Sequence, residues 1–113
     1  MFKQAERAEC EKHLAFIREH KVVTICRKVY GDDLLRLAEA LCAGGVKLME
    51  VTFDQGDPQC LERTAEAIRM IRERFEGGVL PGAGTVLSPE QVQIAKQAGA
   101  AYIISPNTNL RVI

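Results

Sequence analysis

Short apolar runs alternate with helical patterns along most of the chain, and this alternation restricts the fold more than any other feature. Four runs rich in β-branched and apolar residues are predicted strands, at 22–26, 47–53, 79–86 and 102–105. Each of the first three is followed by a segment with apolar residues at helical spacing. Apolar strands joined by helices imply a parallel sheet covered by helices, so the predicted fold class is α/β.

Length and end signals complete the predicted organisation. The 113 residues fit one domain, with an N-terminal helix at 1–21 and β/α units at 22–113. The N-terminal helix carries an apolar stripe of Cys10, Leu14 and Ile17. Capping residues and glycines bound the later helices: Asp32 or Asp33 to Gly44-Gly45, Asp57-Pro58 to Gly77-Gly78, and the capping box Ser88–Gln91 to Ala98-Gly99. The last eight residues resemble the opening of another helix.

Two architectures contain this alternation of strands and helices. An open doubly wound sheet could be completed by four or five strands. A β/α barrel needs eight strands and roughly 200 residues or more, so length alone favours the open sheet. In both architectures functional side chains gather at the carboxyl ends of the strands.

A carboxylate in the second predicted strand is the leading functional candidate. Glu50 lies among apolar residues, and burying an unpaired carboxylate costs roughly several kcal/mol. Alternation places Glu50 with Leu48 and Thr52 on one face, away from the helices. The structural alternative is an ion pair with Arg27 or Lys47, although the spacing of Lys47 from Glu50 sends it to the opposite face.

Two further strand ends carry candidate functional groups, and each also has a purely structural interpretation. The glycines of 82–85 (GAGT) indicate either close packing or a ligand that approaches the backbone. Arg27 follows the first strand, where it is either an anion clamp or an ordinary surface arginine.

Composition excludes several classes of function. Fifteen basic and fifteen acidic residues cancel, which removes the charge signature of nucleic-acid binding. The four cysteines form no Cys-x-x-Cys pair and have no histidine at ligand spacing, so no metal site is expected. Free thiols suit a reducing cytoplasm. No apolar run approaches the ~18 residues of a membrane span, and the charged N-terminus does not match a signal peptide.

Three segments together resemble one family. VVTICR (22–27), ALCAGGVKLMEVTF (40–53) and GAGTVLSPEQVQIAKQAGAAYIISPNTN (82–109) are similar to the aldolases of 2-keto-3-deoxy-6-phosphogluconate (KDPG) and 4-hydroxy-2-oxoglutarate (KHG). The resemblance implies a TIM-type β/α barrel, of which this chain holds about the first four β/α units. It also implies a cytoplasmic homo-oligomer, typically a trimer, that releases pyruvate from a small 2-keto acid by Schiff-base chemistry without a cofactor.

The same resemblance implies roles for four residues. Glu50 corresponds to the general acid/base in the motif E-V-T, and Thr85 to the threonine that lies against the pyruvate carboxylate. Arg27 matches the arginine that helps to hold the substrate carboxylate, and Pro106 would pack beside the pyruvate carbons. Asp54 departs from the pattern, because many members carry an arginine there; this leaves the substrate open.

The Schiff-base lysine of the family lies on its sixth strand, and none of the six lysines here matches it. We therefore expect the 113 residues alone to lack aldolase activity. Half a barrel would also expose its inner face and edge strands, so self-association is expected. Two other functions stay open at this point: a different barrel enzyme, such as an isomerase or epimerase of sugar phosphates, and a non-catalytic module.

Overall fold

Four helices and three strands alternate in the computed structural model, which describes residues 4–113. The order confirms the predicted alternation, and each strand lies within one or two residues of its predicted bounds. The elements are α1 (Gln4–His20), β1 (Val23–Cys26), α2 (Gly31–Ala43), β2 (Leu48–Thr52), α3 (Cys60–Phe75), β3 (Leu80–Gly84) and α4 (Pro89–Ala98).

The three strands form a parallel sheet in the order β1-β2-β3. The predicted fourth strand is wrong as a regular element, since the chain at 102–105 makes only one bridge, between Ala83 and Ile103. It still runs beside β3, because the Ile104 N–H donates to the Ala83 carbonyl at 2.8 Å. β3 ends at Gly84, and Thr85 turns the backbone to a φ of +54°. Beyond this turn the Val86 N–H still donates to the Ile104 carbonyl at 3.2 Å, so the two segments stay bonded without forming a regular strand pair.

The hydrophobic core lies between the sheet and the helices α2, α3 and α4. Met49, Val51 and Phe53 point to this side, which confirms the predicted helix-facing set of the second strand. The helices contribute buried side chains at helical spacing: Leu34, Ala38, Ala67, Ile68, Ile71, Ala95 and Ala98. The core therefore lies on one side of the sheet, and Glu50 lies on the opposite face.

The starts predicted for the second and third helices are wrong. Tyr30 precedes α2 and makes no side-chain cap, while Asp32 and Asp33 lie in the first turn, where their charges face the helix dipole. Asp57 lies outside α3 and instead accepts a hydrogen bond from the Gln59 N–H at 2.9 Å. The Asp57 carbonyl also accepts the Cys60 N–H at 3.0 Å, so residues 57–60 form a turn directly before α3.

Other predicted helix ends are confirmed. Gly44 caps α2, and Gly77 with a φ of +94° follows α3. The Ser88 hydroxyl accepts the Gln91 N–H at 3.2 Å to cap α4, and Gly99 ends that helix in the left-handed region. Glycine at such an end has no Cβ to strain.

The two chain ends differ from their predictions. α1 is a helix but has no buried residue, and Leu14 of its predicted apolar stripe is 49% exposed. Its partly buried apolar residues are Phe16 and Ile17, whereas Cys10 of the predicted stripe is exposed. The final eight residues form turns, because the Asn109 carboxamide accepts the Arg111 N–H at 2.9 Å and competes with helix formation.

Candidate functional site

Glu50 lies in the middle of β2, on the face of the sheet opposite the core. The register pairs it with Ile25 on β1 and Gly82 on β3. Its side chain is directed toward the carboxyl end of the sheet, where its carboxylate lies against Gly84. Glu50 is only 5% exposed, so the predicted buried carboxylate is present.

The Glu50 carboxylate has no ion-pair or hydrogen-bond partner among residues 4–113. Burial raises the pKa of Glu50, and the charge of Arg27 partly opposes this rise. Lys47 is engaged elsewhere, because its Nζ donates to the Cys42 carbonyl at 2.9 Å. The alternative of a close structural ion pair is therefore not met, and Arg27 acts on Glu50 only through its electrostatic field.

A raised pKa makes the stability depend on pH in a defined direction. An unfolded glutamate titrates near pH ~4.3. Between that value and the higher folded pKa the native chain holds a proton that the unfolded chain releases, so wild-type stability falls as pH rises through the folded pKa. Glu50→Gln removes this loss. We expect its urea midpoint to exceed that of wild type at neutral pH and to match it near pH ~4.

Glu73→Gln is the matched control for this pH series, since Glu73 is an exposed glutamate on α3. It should follow the wild-type curve at every pH. A difference between Glu50→Gln and wild type that stays constant from pH ~4 to neutral would contradict the raised pKa.

The two glycines of the third strand provide room for neighbouring side chains. A Cβ at Gly82 would collide with the ring of Tyr102, and a Cβ at Gly84 would collide with the Glu50 carboxylate. Of the two alternatives for this motif, the structure therefore shows close packing. Tyr102 was missed as a site residue, although the lack of side chains at positions 82 and 84 was a signal that large groups lie over them.

Charged side chains lie at the carboxyl end of the sheet, at the edge formed by Arg27, Lys28, Asp54 and Thr85, which we call the mouth. Arg27 is exposed directly after β1, and Lys28 follows it. The Lys28 Nζ lies 3.9 Å from the Asp54 carboxylate, so the acidic departure from the family pattern is paired with a lysine. Lys28 therefore offsets the negative charge of Asp54 at this edge.

Thr85 follows β3 at the same edge, and its backbone is held by amide groups. The Gln55 Nε2 donates to the Thr85 carbonyl at 2.8 Å, and the Gln91 Nε2 donates to the Gln55 Oε1 at 2.8 Å. The Gln91 Oε1 accepts the Leu87 N–H at 2.8 Å. Sequence reasoning missed this link, since Gln91 was interpreted only as part of a capping box.

The structure brings some of the predicted site residues together and not others. Glu50 and Arg27 interact electrostatically, and Thr85 directly follows the Gly84 that Glu50 covers. Pro106 is exposed, whereas Glu50 is buried. Over residues 4–113, no cluster of three metal-ligating side chains occurs and no helix is long and apolar enough to cross a membrane.

Comparison with known proteins gives consistent matches. The family model for KDPG and KHG aldolase matches residues 14–113. The chain is 45% identical over 100 residues to the 2-dehydro-3-deoxy-phosphogluconate aldolase of Treponema pallidum, covering 86% of this chain and 41% of that protein. It is 36% identical over 97 residues to the protein of the same name from Haemophilus influenzae, covering 86% and 42%.

Solved structures agree with these matches. The KDPG aldolase of Zymomonas mobilis ZM4, solved with 3-phosphoglycerate, superimposes with a TM-score of 0.72 at 30% identity over 91% of this chain and 46% of that one. The Legionella pneumophila enzyme, with pyruvate captured as a covalent carbinolamine, gives 0.66 at 33% identity over 80% and 40%. The chain thus spans about two fifths of the curated relatives' length.

Proposed function

The chain belongs to the KDPG and KHG aldolase family, and we propose that it supplies the acid/base part of an aldolase site. The proposed reaction cleaves KDPG or KHG to pyruvate and an aldehyde. The observation that carries the proposal is Glu50, a buried carboxylate without a close partner at the mouth of a parallel sheet. We further propose that this sheet is part of a TIM-type barrel in a homo-oligomeric protein.

Glu50 has the properties of a group that exchanges protons with a substrate. Its raised pKa brings the protonated and ionised forms closer in population near neutral pH, which favours transfer in both directions. Schiff-base cleavage needs this exchange. A proton leaves the hydroxyl group on one of the two carbons whose bond breaks, and further protons are transferred as the imine forms and is hydrolysed. A carboxylate held by a fixed partner would serve this role less well.

We propose that Arg27 and Thr85 hold the carboxylate of the substrate. Both follow the last residue of a strand, so they lie at the same edge as the Glu50 carboxylate. Arg27 is exposed and free of ion pairs within 4.0 Å among the described residues, which leaves its guanidinium available to an anion. Pro106 would join them by packing against the pyruvate carbons. The Lys28–Asp54 pair offsets the negative charge of Asp54, which leaves this edge compatible with either anionic substrate, KDPG or KHG.

The nucleophile of the proposed reaction is a lysine that lies outside these 113 residues. Within the described chain, Lys28 pairs with Asp54, Lys47 bonds to Cys42, and Lys96 borders a cavity at the opposite end of the sheet. None of them contacts Glu50. The sixth-strand lysine that the family resemblance implies would have to complete the site.

Trapping with pyruvate and borohydride tests this division of roles. Reduction fixes an imine as a stable adduct, so mass spectrometry counts reactive lysines. The 113-residue chain should keep its mass. A chimera that joins residues 1–113 to the remaining part of the Treponema pallidum relative should gain one pyruvate-derived group on one lysine. A single-lysine adduct on the 113-residue chain would contradict the proposed division, and an unmodified, folded chimera would contradict the proposed function.

A further inference from the structure

The ring of Tyr102 covers a glycine on the same face of the sheet as Glu50. The Ala101 N–H donates to the Pro81 carbonyl at 2.8 Å, and the Ala83 N–H donates to the Tyr102 carbonyl at 3.0 Å. These bonds place Tyr102 level with Gly82. A Cβ at Gly82 would collide with the Cε2, Cδ2 and Cζ atoms of the ring, so the ring occupies the space that a side chain would fill.

The Glu50 side chain leans along the sheet, so its carboxylate does not lie beside the residue that pairs with the Glu50 backbone. Glu50 is paired with Gly82, but its carboxylate lies against Gly84, two residues nearer the carboxyl end. Two residues of a strand correspond to roughly 6.6 Å. The place beside Glu50 at its own level is already filled by the Tyr102 ring, so the carboxylate extends toward the open place over Gly84.

We propose that Tyr102 is a positioning residue. Its ring fills the space over Gly82 and so directs the Glu50 carboxylate to the edge where Arg27 and Thr85 lie. The inference deepens the proposed function, on which it rests for the role of Glu50. A carboxylate that lay over Gly82, instead of over Gly84, would be further from the substrate groups at the mouth. Because a displacement of about 1 Å can cost ~10²-fold in rate, a shift of one level would remove proton transfer.

The hydroxyl of Tyr102 is not what holds the arrangement. It is buried and makes no hydrogen bond among residues 4–113. Burial, followed by the nearby charge of Glu50, raises the pKa of Tyr102, so the hydroxyl stays neutral and adds no charge beside the carboxylate. Positioning therefore depends on the ring, which phenylalanine retains and alanine lacks.

The test compares Tyr102→Ala with its matched control Tyr102→Phe in the 113-residue chain by NMR. In wild type and Tyr102→Phe, the γ protons of Glu50 should show strong nuclear Overhauser effects to the α protons of Gly84. In Tyr102→Ala the stronger effect should move to Gly82. The pKa of Glu50, followed by its ¹³C carboxyl shift, should stay raised in Tyr102→Phe and fall in Tyr102→Ala, because water enters the space left by the ring.

An unchanged Gly84 contact in folded Tyr102→Ala would overturn the proposal, as would loss of that contact in Tyr102→Phe. If Tyr102→Ala does not fold, Tyr102→Leu takes its place, since leucine stays apolar but lacks the Cε2 and Cζ atoms that cover Gly82. A general loss of packing would lower stability without moving the Glu50 contact. No substrate is present in this experiment, so its failure is distinguishable from a failure of the trapping experiment.

Discussion

Glu50→Gln in the chimera with the Treponema pallidum relative should lower kcat by ~10²- to 10⁴-fold, the usual contribution of general acid–base catalysis. Glutamine keeps the length and nearly the shape of the side chain, so it can still lie against Gly84. It cannot accept and return a proton at neutral pH. The loss should therefore appear in kcat, measured by coupling pyruvate release to lactate dehydrogenase, while KM changes little.

The matched control for this prediction is Glu73→Gln, the same substitution at the exposed glutamate on α3. It should leave kcat within twofold of the unmodified chimera, by the order of magnitude expected for a surface change away from the site. If Glu50→Gln retained full kcat, Glu50 would not be the acid/base group. If it raised KM alone, Glu50 would act in substrate binding instead.

Phe53→Ala should destabilise the chain by about 3–5 kcal/mol, the largest stability effect that we expect. Phe53 is 1% exposed and packs in the core between the sheet and the helices. Its N–H also donates to the Gly84 carbonyl at 2.9 Å, so the ring sits where β2 and β3 end. A cavity there removes buried apolar contact from both strands. Urea unfolding followed by circular dichroism measures the change.

Phe16→Ala provides the matched comparison on α1, which has no buried residue. Phe16 is only partly buried, and its ring lies 4.3 Å from the His20 ring, centre to centre. Its loss should cost less than about 1 kcal/mol, as for other surface changes. Equal losses for the two phenylalanines would mean that α1 is part of the core after all.

Much of the fold follows from local pattern, and the exceptions have physical causes. Apolar alternation in β2 correctly assigned Phe53 to the helices and Glu50 to the other face. The fourth strand was wrong because its backbone bonds to β3 run across the turn at Thr85 and form only one bridge, and that turn is not visible in the apolar pattern. The start of α3 was wrong because residues 57–60 form a turn before the helix, and sequence pattern alone does not separate such a turn from a first helical turn.

The positions of the candidate site residues were predictable where they follow from the position of a residue in, or directly after, a strand. The position of Glu50 in its strand and of Arg27 after the preceding one could be derived from the pattern and from the family resemblance. The contact of Tyr102 with Gly82 could not, because it requires the neighbour and the register of β3. The exposure of Pro106 likewise depends on how the chain leaves the sheet.

The bond between Gln55 and Gln91 joins the loop after β2 to the first turn of α4, far apart in sequence. Through Gln55 it also fixes the carbonyl of Thr85, at the edge where a substrate would arrive. A loop that is already bonded to a helix has less conformational freedom to lose when a ligand binds, and the entropy cost of binding falls accordingly. The first turn of α4 thereby contributes to preorganisation: Ser88 caps the Gln91 N–H, and the Gln91 side chain ties the helix to the loop that bonds Thr85.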